Sequence, residues 1–343
     1  SLELAGGCCY SEPQVEAALT EIQQLTIAGI SGNIWYKNPH KRQEFMPVIG
    51  RLGRLELPID GLTIGAGVPS FEDANEYIRV LGLKHISFKP GPVESIRQCV
   101  SIAAANPNFP VIIQWTGGRG GGHHSYEDFH APILQTYGAI RKYSNIILVA
   151  GSGFGDAEGT YPYLTGEWSR QFSYPPMPFD GFLFGSRVMV ASEFLTSEDA
   201  KKAIVAAAGV PDSKWEETYK ARGGGGVITV TSEMGEQIHK LTTRGVMLWK
   251  ELDTTIFSIP RGPKRVAALQ ARKEKLAKRL NADFQKPWFP TLEDGKVVDL
   301  EDMTYAQILR RLIRTMYVSS EDRWIDNSLR DMAAKFISRV EER

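Results

Sequence analysis

The sequence predicts an α/β fold of the (β/α)8-barrel type that lacks its first strand, with an appended, mainly helical C-terminal region. Three observations lead to this prediction. Short runs rich in Val, Ile, Leu and Phe recur without strict alternation, which is typical of parallel strands buried on both faces. Nearly every run ends in glycine or contains one, and stretches with the apolar spacing of amphipathic helices separate the runs.

Seven apolar runs are predicted strands, and their spacing of roughly 25–40 residues is typical of successive strand–helix units. The runs cover residues 2–7, 30–36, 61–67, 85–91, 111–118, 146–153 and 179–185. The clearest helix patterns between them cover residues 12–25, 70–81, 92–105 and 129–143. A (β/α)8 barrel needs eight strands in about 250 residues, so we interpret the seven as its second to eighth strands.

The pattern changes after residue 195, where helical spacing dominates. We therefore predict a barrel domain over residues 1–195 and a mainly helical extension over residues 196–343 that packs on the barrel. Thr304 and Gln307 have the spacing of a capping box at the start of a helix. A helical interpretation of residues 233–240 places Glu236 and His239 on one face, but without an HExxH motif or a cysteine cluster we expect no metal there.

Composition excludes several classes of protein. Lys and Arg together number 40, as do Asp and Glu, and this neutral balance argues against a nucleic-acid-binding surface. The sequence contains no run of about 18 apolar residues, which is the length needed to cross a membrane. Three cysteines cannot form a disulfide framework, so we expect a reducing, cytoplasmic setting. The chain starts with Ser and stops inside a helical pattern, so we expect a piece of a longer polypeptide.

The strongest local motif is the glycine loop, residues 114–125, which reads QWTGGRGGGHHS and follows a predicted strand. Its candidate catalytic residues are His123 and His124, because imidazole exchanges a proton near neutral pH. The preceding Gly121 and Gly122 carry no Cβ, so a flat ring could lie against the backbone. A flexible loop with solvated histidines is the alternative. A dinucleotide-binding fingerprint is disfavoured, because no apolar helix follows directly.

Two further glycine turns follow the predicted seventh and eighth strands. Barrels frequently bind a phosphate with the loops at these positions. Ordinary strand-to-helix turns are the alternative, and for Asn33 a hydrogen bond to a planar heterocycle competes with a purely structural role. The candidate binding residues from these turns and the earlier strands are Asn33, Gly65, Gly151, Gly153, Phe154, Gly185 and Ser186.

These motifs closely resemble the enoyl reductase domain of the fungal type I fatty acid synthase β subunit. The resemblance rests on LAGG, GLTIGAG, FKPG, QWTGGRGGGHHS, AGSGFG, YPYLTG and FDGFLFGSR in this order, and on SEMGE, TRGVMLWKE and LNADFQK beyond them. It covers essentially the whole chain. More distantly, the barrel is similar to bacterial flavin enoyl reductases and nitronate monooxygenases. Arg119 and Gly120 stand where that bacterial branch has Glu and Ala.

The resemblance implies FMN in a TIM barrel, with NADPH as the hydride source. The implied substrate is a trans-2-enoyl thioester on an acyl carrier domain, reduced to the saturated acyl thioester. His123 would polarise the thioester carbonyl or supply the proton to the α-carbon, with His124 as the second choice. Gly153, Phe154, Gly185 and Ser186 would belong to the flavin-phosphate loops, and Asn33 would contact the flavin ring.

The implied partners are the acyl carrier domain, the other domains of the β subunit and the α subunit, with no nucleic acid and no membrane. Two alternatives stay open: a flavin oxidase of the nitronate monooxygenase type, and a chiefly structural segment of the synthase. The missing first strand also leaves open whether these residues hold FMN by themselves. Candidates for the NADPH 2′-phosphate are Arg119, Arg187 and Arg222.

Overall fold

The computed structural model describes most of the first 211 residues and a smaller share of the rest. The described residues are 2–4, 12–25, 29–36, 46–52, 57–151, 153–194, 196, 198–211, 214–215, 218, 224–231, 237–282, 292, 294, 296–299, 302–319, 322–324, 330, 333–334 and 337–338. The chain forms two compact units, residues 1–240 and 241–343. Residue 195, the predicted domain boundary, lies inside the first unit.

A seven-stranded sheet forms the centre of the first unit, and all of its neighbouring strands run parallel. The strands are β1 Leu2–Leu4, β2 Ile30–Trp35, β3 Ile59–Gly65, β4 His85–Phe88, β5 Val111–Trp115, β7 Ile146–Gly151 and β8 Gly181–Leu183. They lie side by side in this order, which confirms the predicted parallel α/β fold. β1 and β8 are the sheet edges among the described strands, so closure into a barrel stays a prediction.

Helices follow most of the strands, as the apolar spacing predicts. Ser70 caps the helix after β3, because its hydroxyl accepts a hydrogen bond of 3.0 Å from the backbone N–H of Asp73. The helices of the first unit are α1 Glu12–Leu25, α2 over residues 46–52, α3 Phe71–Val80, α4 Val93–Ala105, α5 Ala131–Ile140, α6 Ala157–Thr165, α7 Ser186–Met189 and α8 Glu198–Ala206.

The two faces of the sheet differ in chemistry. Successive side chains of a strand point to opposite faces. One face carries fully buried apolar side chains such as Leu62, Ile86 and Ile113, which pack in one core with Ile96 and Ile133 of the helices. The other face carries polar side chains that are also buried. These are Ser31, Thr63, Ser87 and Gln114. The expectation of strands buried on both faces is therefore confirmed only in part, because on this second face Ile112 of β5 is half-buried and Ile147 of β7 is 37% exposed.

A second sheet of three strands brings distant parts of the chain together. β6, Gly122–His123, pairs antiparallel with β10, Gln237–Leu241, and β9, Val227–Thr231, lies on the other side of β10. The helical interpretation of residues 233–240 is therefore wrong for the described part of that stretch. Pairing with the glycine loop decides its conformation, which local spacing does not reveal.

The second unit is mainly helical. Leu248 and Leu252 of its first helix, and Ile256 directly after that helix, share a core with Leu269 and Leu276 of the next helix. Its elements are α9 Arg244–Thr255, α10 Pro263–Ala282, α11 Tyr305–Met316, β11 Tyr317–Val318 and β12 Arg323–Trp324. The predicted capping box is confirmed at the start of α11. Within the described part of the whole chain, no helix has both the length and the apolar character needed to cross a membrane.

Candidate active site

The candidate site lies at the edge of the large sheet where the parallel strands end. Gly65 ends β3, Trp115 ends β5 and Gly151 ends β7, so the turns that follow them share this edge. The carboxyl ends of parallel strands are where α/β enzymes build their binding sites. The structure therefore brings the glycine loop and the two predicted phosphate turns to one side of the sheet.

The first half of the glycine loop is held firmly. The indole N–H of Trp115 donates to the carbonyl oxygen of Phe129 at 2.7 Å. The backbone N–H of Gly118 donates to the carbonyl oxygen of Glu127 at 2.8 Å. The guanidinium of Arg119 lies 4.8 Å from the centre of the Phe129 ring, and this side chain is only 6% exposed. A buried cation over an aromatic ring has a structural role, so Arg119 is poorly placed to receive a nucleotide phosphate.

The second half of the loop presents the histidines. β6 aligns His123 with Ile238 through the backbone, while the side chain of His123 lies outside the described residues. His124 is half-buried, and its ring stacks on that of His239 with 3.9 Å between the ring centres and 17° between the planes. The Nδ1 atom of His124 lies 2.7 Å from the carbonyl oxygen of Ser125.

His239 is clamped at both ring nitrogens. Nδ1 lies 2.9 Å from the carbonyl oxygen of Gly120, so it donates there, and Nε2 lies 3.2 Å from the hydroxyl of Thr218. Burial, and next the charge of the adjacent His124, lower the pKa of His239 from 6.5 to about 4, against the opposing effect of the hydrogen bond that the ring donates to the Gly120 carbonyl. The His239 ring is therefore neutral at pH 7.

The turn after β7 combines packing and open backbone. A Cβ on Gly151 would lie 2.8 Å from Cγ2 of Thr116, so close packing explains this glycine. Gly153 is exposed and has a φ of +82°, a conformation that favours glycine. The Phe154 ring packs against those of Phe129, Tyr163 and Phe182, so the residue offers a ligand only its backbone.

The turn after β8 is open. A Cβ on Gly185 would meet no atom within 4 Å, and Ser186 begins the short helix α7 in an exposed position. Arg187 reaches back to the other turn, because its Nε would lie 2.5 Å from a Cβ on Gly155. The guanidinium of Arg187, which belongs to the turn after β8, thus lies against the turn after β7. Arg222, the third arginine candidate, lies outside the described residues.

The polar face of the sheet leads up to these turns. Asn33 aligns with Thr63, and Thr63 with Ser87, on three neighbouring strands. Thr63 Oγ1, Ser87 Oγ and Gln114 Oε1 are buried, and none of the residues that the structure describes is their hydrogen-bond partner. A buried polar atom without a partner costs about 1–3 kcal/mol, which a bound group with hydrogen-bonding edges would recover. A Cβ on Gly65 would make only ordinary contacts, the nearest at 3.7 Å. These residues fit FMN, whose ring has such edges. No group of three or more His, Cys, Asp or Glu within the described ranges could hold a metal ion.

Comparison with known proteins identifies the family. Residues 110–343 match the family model described as "Fatty acid synthase subunit beta/Fas1-like, helical". The chain belongs to the fatty acid synthase β-subunit family. It is 54% identical to the fatty acid synthase subunit beta of Saccharomyces cerevisiae over 347 aligned residues, and 55% identical to the fatty acid synthase beta subunit pigK of Monascus ruber. Each alignment covers 100% of this chain and 17% of the relative, so the chain spans about a sixth of these β subunits.

One solved structure supports the fold of this β-subunit segment. FabK from Thermotoga maritima superposes with a TM-score of 0.51 at 16% sequence identity, over 74% of this chain and 67% of FabK. At this identity the similarity concerns the fold alone.

Sequence reasoning missed two residues that the structure brings to the glycine loop. In the sequence His239 belongs to a weak metal-site pattern, and no motif includes Thr218. The carbonyl of Gly120 precedes His239 by 119 positions, and no local spacing connects them. Ile238 and His239 are adjacent and both buried in the short strand β10, a pattern without alternation, so local spacing gives no signal for His239.

Proposed function

We propose that this chain carries the enoyl reductase of the synthase, which uses FMN and NADPH to reduce trans-2-enoyl thioesters on an acyl carrier domain. The observation that carries the proposal is the histidine-bearing glycine loop, clamped at the carboxyl edge of a parallel sheet beside buried polar atoms without partners. Membership of the fatty acid synthase β-subunit family supports it.

The residues that would hold FMN fall into two groups. Asn33, Thr63, Ser87 and Gln114 would bond the edges of the ring from the polar face of the sheet. Backbone N–H groups of the two open turns would bind the phosphate, with the guanidinium of Arg187 adding positive charge between them. These N–H groups belong to Gly153, Phe154, Gly185 and Ser186. When bound, FMN supplies hydride transfer between NADPH and the enoyl β-carbon.

The glycine loop would receive the enoyl thioester. A Cβ on Gly121 would meet no atom within 4 Å, so the backbone offers open space for a flat group. His123 follows this space directly, and its imidazole would polarise the thioester carbonyl or protonate the α-carbon. His124 would be the second choice, since its ring is already held by His239.

The larger assembly belongs to the same proposal. Because the chain spans 17% of its relatives, the remaining domains of the β subunit and the α subunit would supply the carrier domain and the other reactions. We propose that this assembly works in the cytoplasm.

The test compares His123→Ala with wild type in the full-length β subunit assembled with its partner subunit. NADPH oxidation with a short enoyl thioester should fall about 100-fold or more, while bound flavin and its bleaching by NADPH stay unchanged. Lys84→Gln, an exposed change before β4 at the opposite edge of the sheet, is the control and should keep wild-type turnover.

Three outcomes would overturn parts of the proposal. Unchanged turnover in His123→Ala would transfer the role to His124. NADPH oxidation that needs no enoyl substrate would favour an oxidase of the nitronate monooxygenase type. Wild-type protein without flavin would leave the chiefly structural alternative.

A further inference from the structure

The ring of His239 contacts two separate parts of the chain, the glycine loop at two points and the segment that contains Thr218. It bonds the carbonyl of Gly120 in the glycine loop, approaches the hydroxyl of Thr218, and stacks face to face on His124. The side chain is 7% exposed, so solvent has little access to these contacts. The glycine-rich loop has few side chains that could stabilise its own conformation. His239 of the short strand β10 supplies such contacts from outside the loop.

The backbone around His239 points to the same segment. β10 pairs with β6 so that His239 lies opposite Gly122 and Ile238 opposite His123. The backbone N–H of His124 also donates to the carbonyl of Gln237 at 3.3 Å. Side chain and backbone of β10 therefore hold both ends of the segment that carries the two histidines.

Proton counting defines the state of the ring. The carbonyl oxygen of Gly120 accepts a hydrogen bond from Nδ1–H of His239. The carbonyl oxygen of Trp215 lies 2.5 Å from the hydroxyl oxygen of Thr218 and can accept its hydrogen. The Thr218 hydroxyl has one hydrogen for two acceptors, the Trp215 carbonyl and the lone pair of Nε2, so it bonds one of them at a time. When the hydroxyl rotates toward Nε2, Thr218 and Gly120 together fix the orientation of the ring.

We propose that His239 is a positioning residue of the enoyl reductase site, which orients the ring of His124 and the backbone that presents His123. Its clamp between Gly120 and Thr218 keeps the stacked face of the ring fixed. The inference rests on the proposed function for its catalytic consequence, but the clamp itself can be measured without turnover.

The experiment uses the full-length β subunit assembled with its partner subunit. His239→Phe keeps a flat ring for the stack and removes both ring hydrogen bonds. Thr218→Val removes the hydroxyl from outside the loop, so it tests the clamp even if the first variant fails to fold. Thr218→Ser is the conservative rescue. Thr229→Val is the matched control, because Thr229 is buried in the neighbouring strand β9 and its hydroxyl has no partner.

Two readouts are expected to move together. His239→Phe should lower kcat for enoyl reduction about 10- to 100-fold, with unchanged flavin content and unchanged KM for NADPH, because misplacement of catalytic groups affects the reacting complex. Thr218→Val should lower kcat in the same direction, and Thr218→Ser should restore it. Hydrogen–deuterium exchange of the peptide over residues 120–126 should accelerate in His239→Phe and Thr218→Val, but not in Thr229→Val.

The outcomes separate this inference from the proposed function. A wild-type kcat in both His239→Phe and Thr218→Val overturns the positioning role. Variants that lose bound flavin while the kcat of the flavin-containing fraction stays at the wild-type value overturn it as well. If exchange accelerates in these variants but the wild-type protein reduces no enoyl thioester, the proposed function is overturned and His239 only holds the loop. Unchanged exchange overturns the clamp.

Discussion

Replacing Gly61 by alanine introduces a methyl group where the ring of His85 crosses β3. A Cβ at this position would lie 2.0 Å from Nε2 of His85 and 2.5 Å from its Cδ2. Atoms do not approach so closely, and therefore the ring must swing away from the strand. Its hydrogen bond of 2.7 Å with the hydroxyl of Ser31 on β2 would then break. We expect Gly61→Ala to loosen the sheet at these three strands.

The size of the effect follows from two contributions. Overpacking in a well-packed region costs about 1–3 kcal/mol, and the lost hydrogen bond costs about 1 kcal/mol. A total of about 2–4 kcal/mol corresponds to amide exchange about 30 to 1000 times faster, where exchange follows the local opening equilibrium. Hydrogen–deuterium exchange of the peptides over β3 and β4 in the intact protein measures this directly.

Gly65→Ala on the same strand is the matched control. Its Cβ would lie 3.7 Å from Cδ of Lys89 and 3.8 Å from the carbonyl oxygen of Ile34, which are ordinary contacts, so exchange in β3 should stay near the wild-type rate. Gly61→Ala combined with His85→Ala should cost less than the two changes added together. Wild-type exchange in Gly61→Ala, or strictly additive costs in the pair, would refute the argument from the crossing ring.

Three further predictions concern pH and the second unit. The unfolded state binds a proton at His239 near pH 6.5 that the folded state excludes down to about pH 4. The contribution of His239 to stability is therefore complete above pH 6.5 and falls by at most about 3 kcal/mol as the pH drops to 4; denaturant unfolding at several pH values should show this fall, with a flatter profile in His239→Phe. Asp299→Asn removes a buried carboxylate that lies 3.1 Å from the partly buried guanidinium of Arg265, and should cost about 3 kcal/mol in thermal unfolding. Asp302→Asn at a half-exposed pair should cost under about 1 kcal/mol. Thr304→Ala removes the capping box of α11 and should cost about 1 kcal/mol, measured in the same way, while Thr304→Ser should keep most of it.

Local pattern was sufficient for the parallel sheet and its helices. The apolar run beginning at Val111 contains β5, and the stretch predicted from residue 70 to 81 contains α3, because burial against one core imposes a spacing on neighbouring residues. The cap at Thr304 was equally readable, since both partners lie within one helical turn. Elements that depend on nearby residues were predicted from nearby residues.

The clamp on the glycine loop could not be predicted in this way. β10 is a strand because β6 pairs with it, and the two lie more than a hundred residues apart. The spacing of Glu236 and His239 suits one face of a helix, and this local match pointed to the wrong conformation. The polar face of the large sheet was missed for a related reason: Thr63 and Ser87 sit among apolar neighbours and do not interrupt the hydrophobic runs that predict the strands.

Glycines that a positive φ does not explain have at least two different causes, which the sequence does not distinguish. Gly61 and Gly151 are required by packing, because a Cβ would collide with His85 or Thr116. Gly121 and Gly185 have no such reason, since a Cβ on either would enter open space. Both of the latter lie in turns beyond the carboxyl edge of the sheet, where a bound group would occupy that space. A ligand at this edge would explain why these two positions carry glycine. The enoyl reductase proposal supplies one.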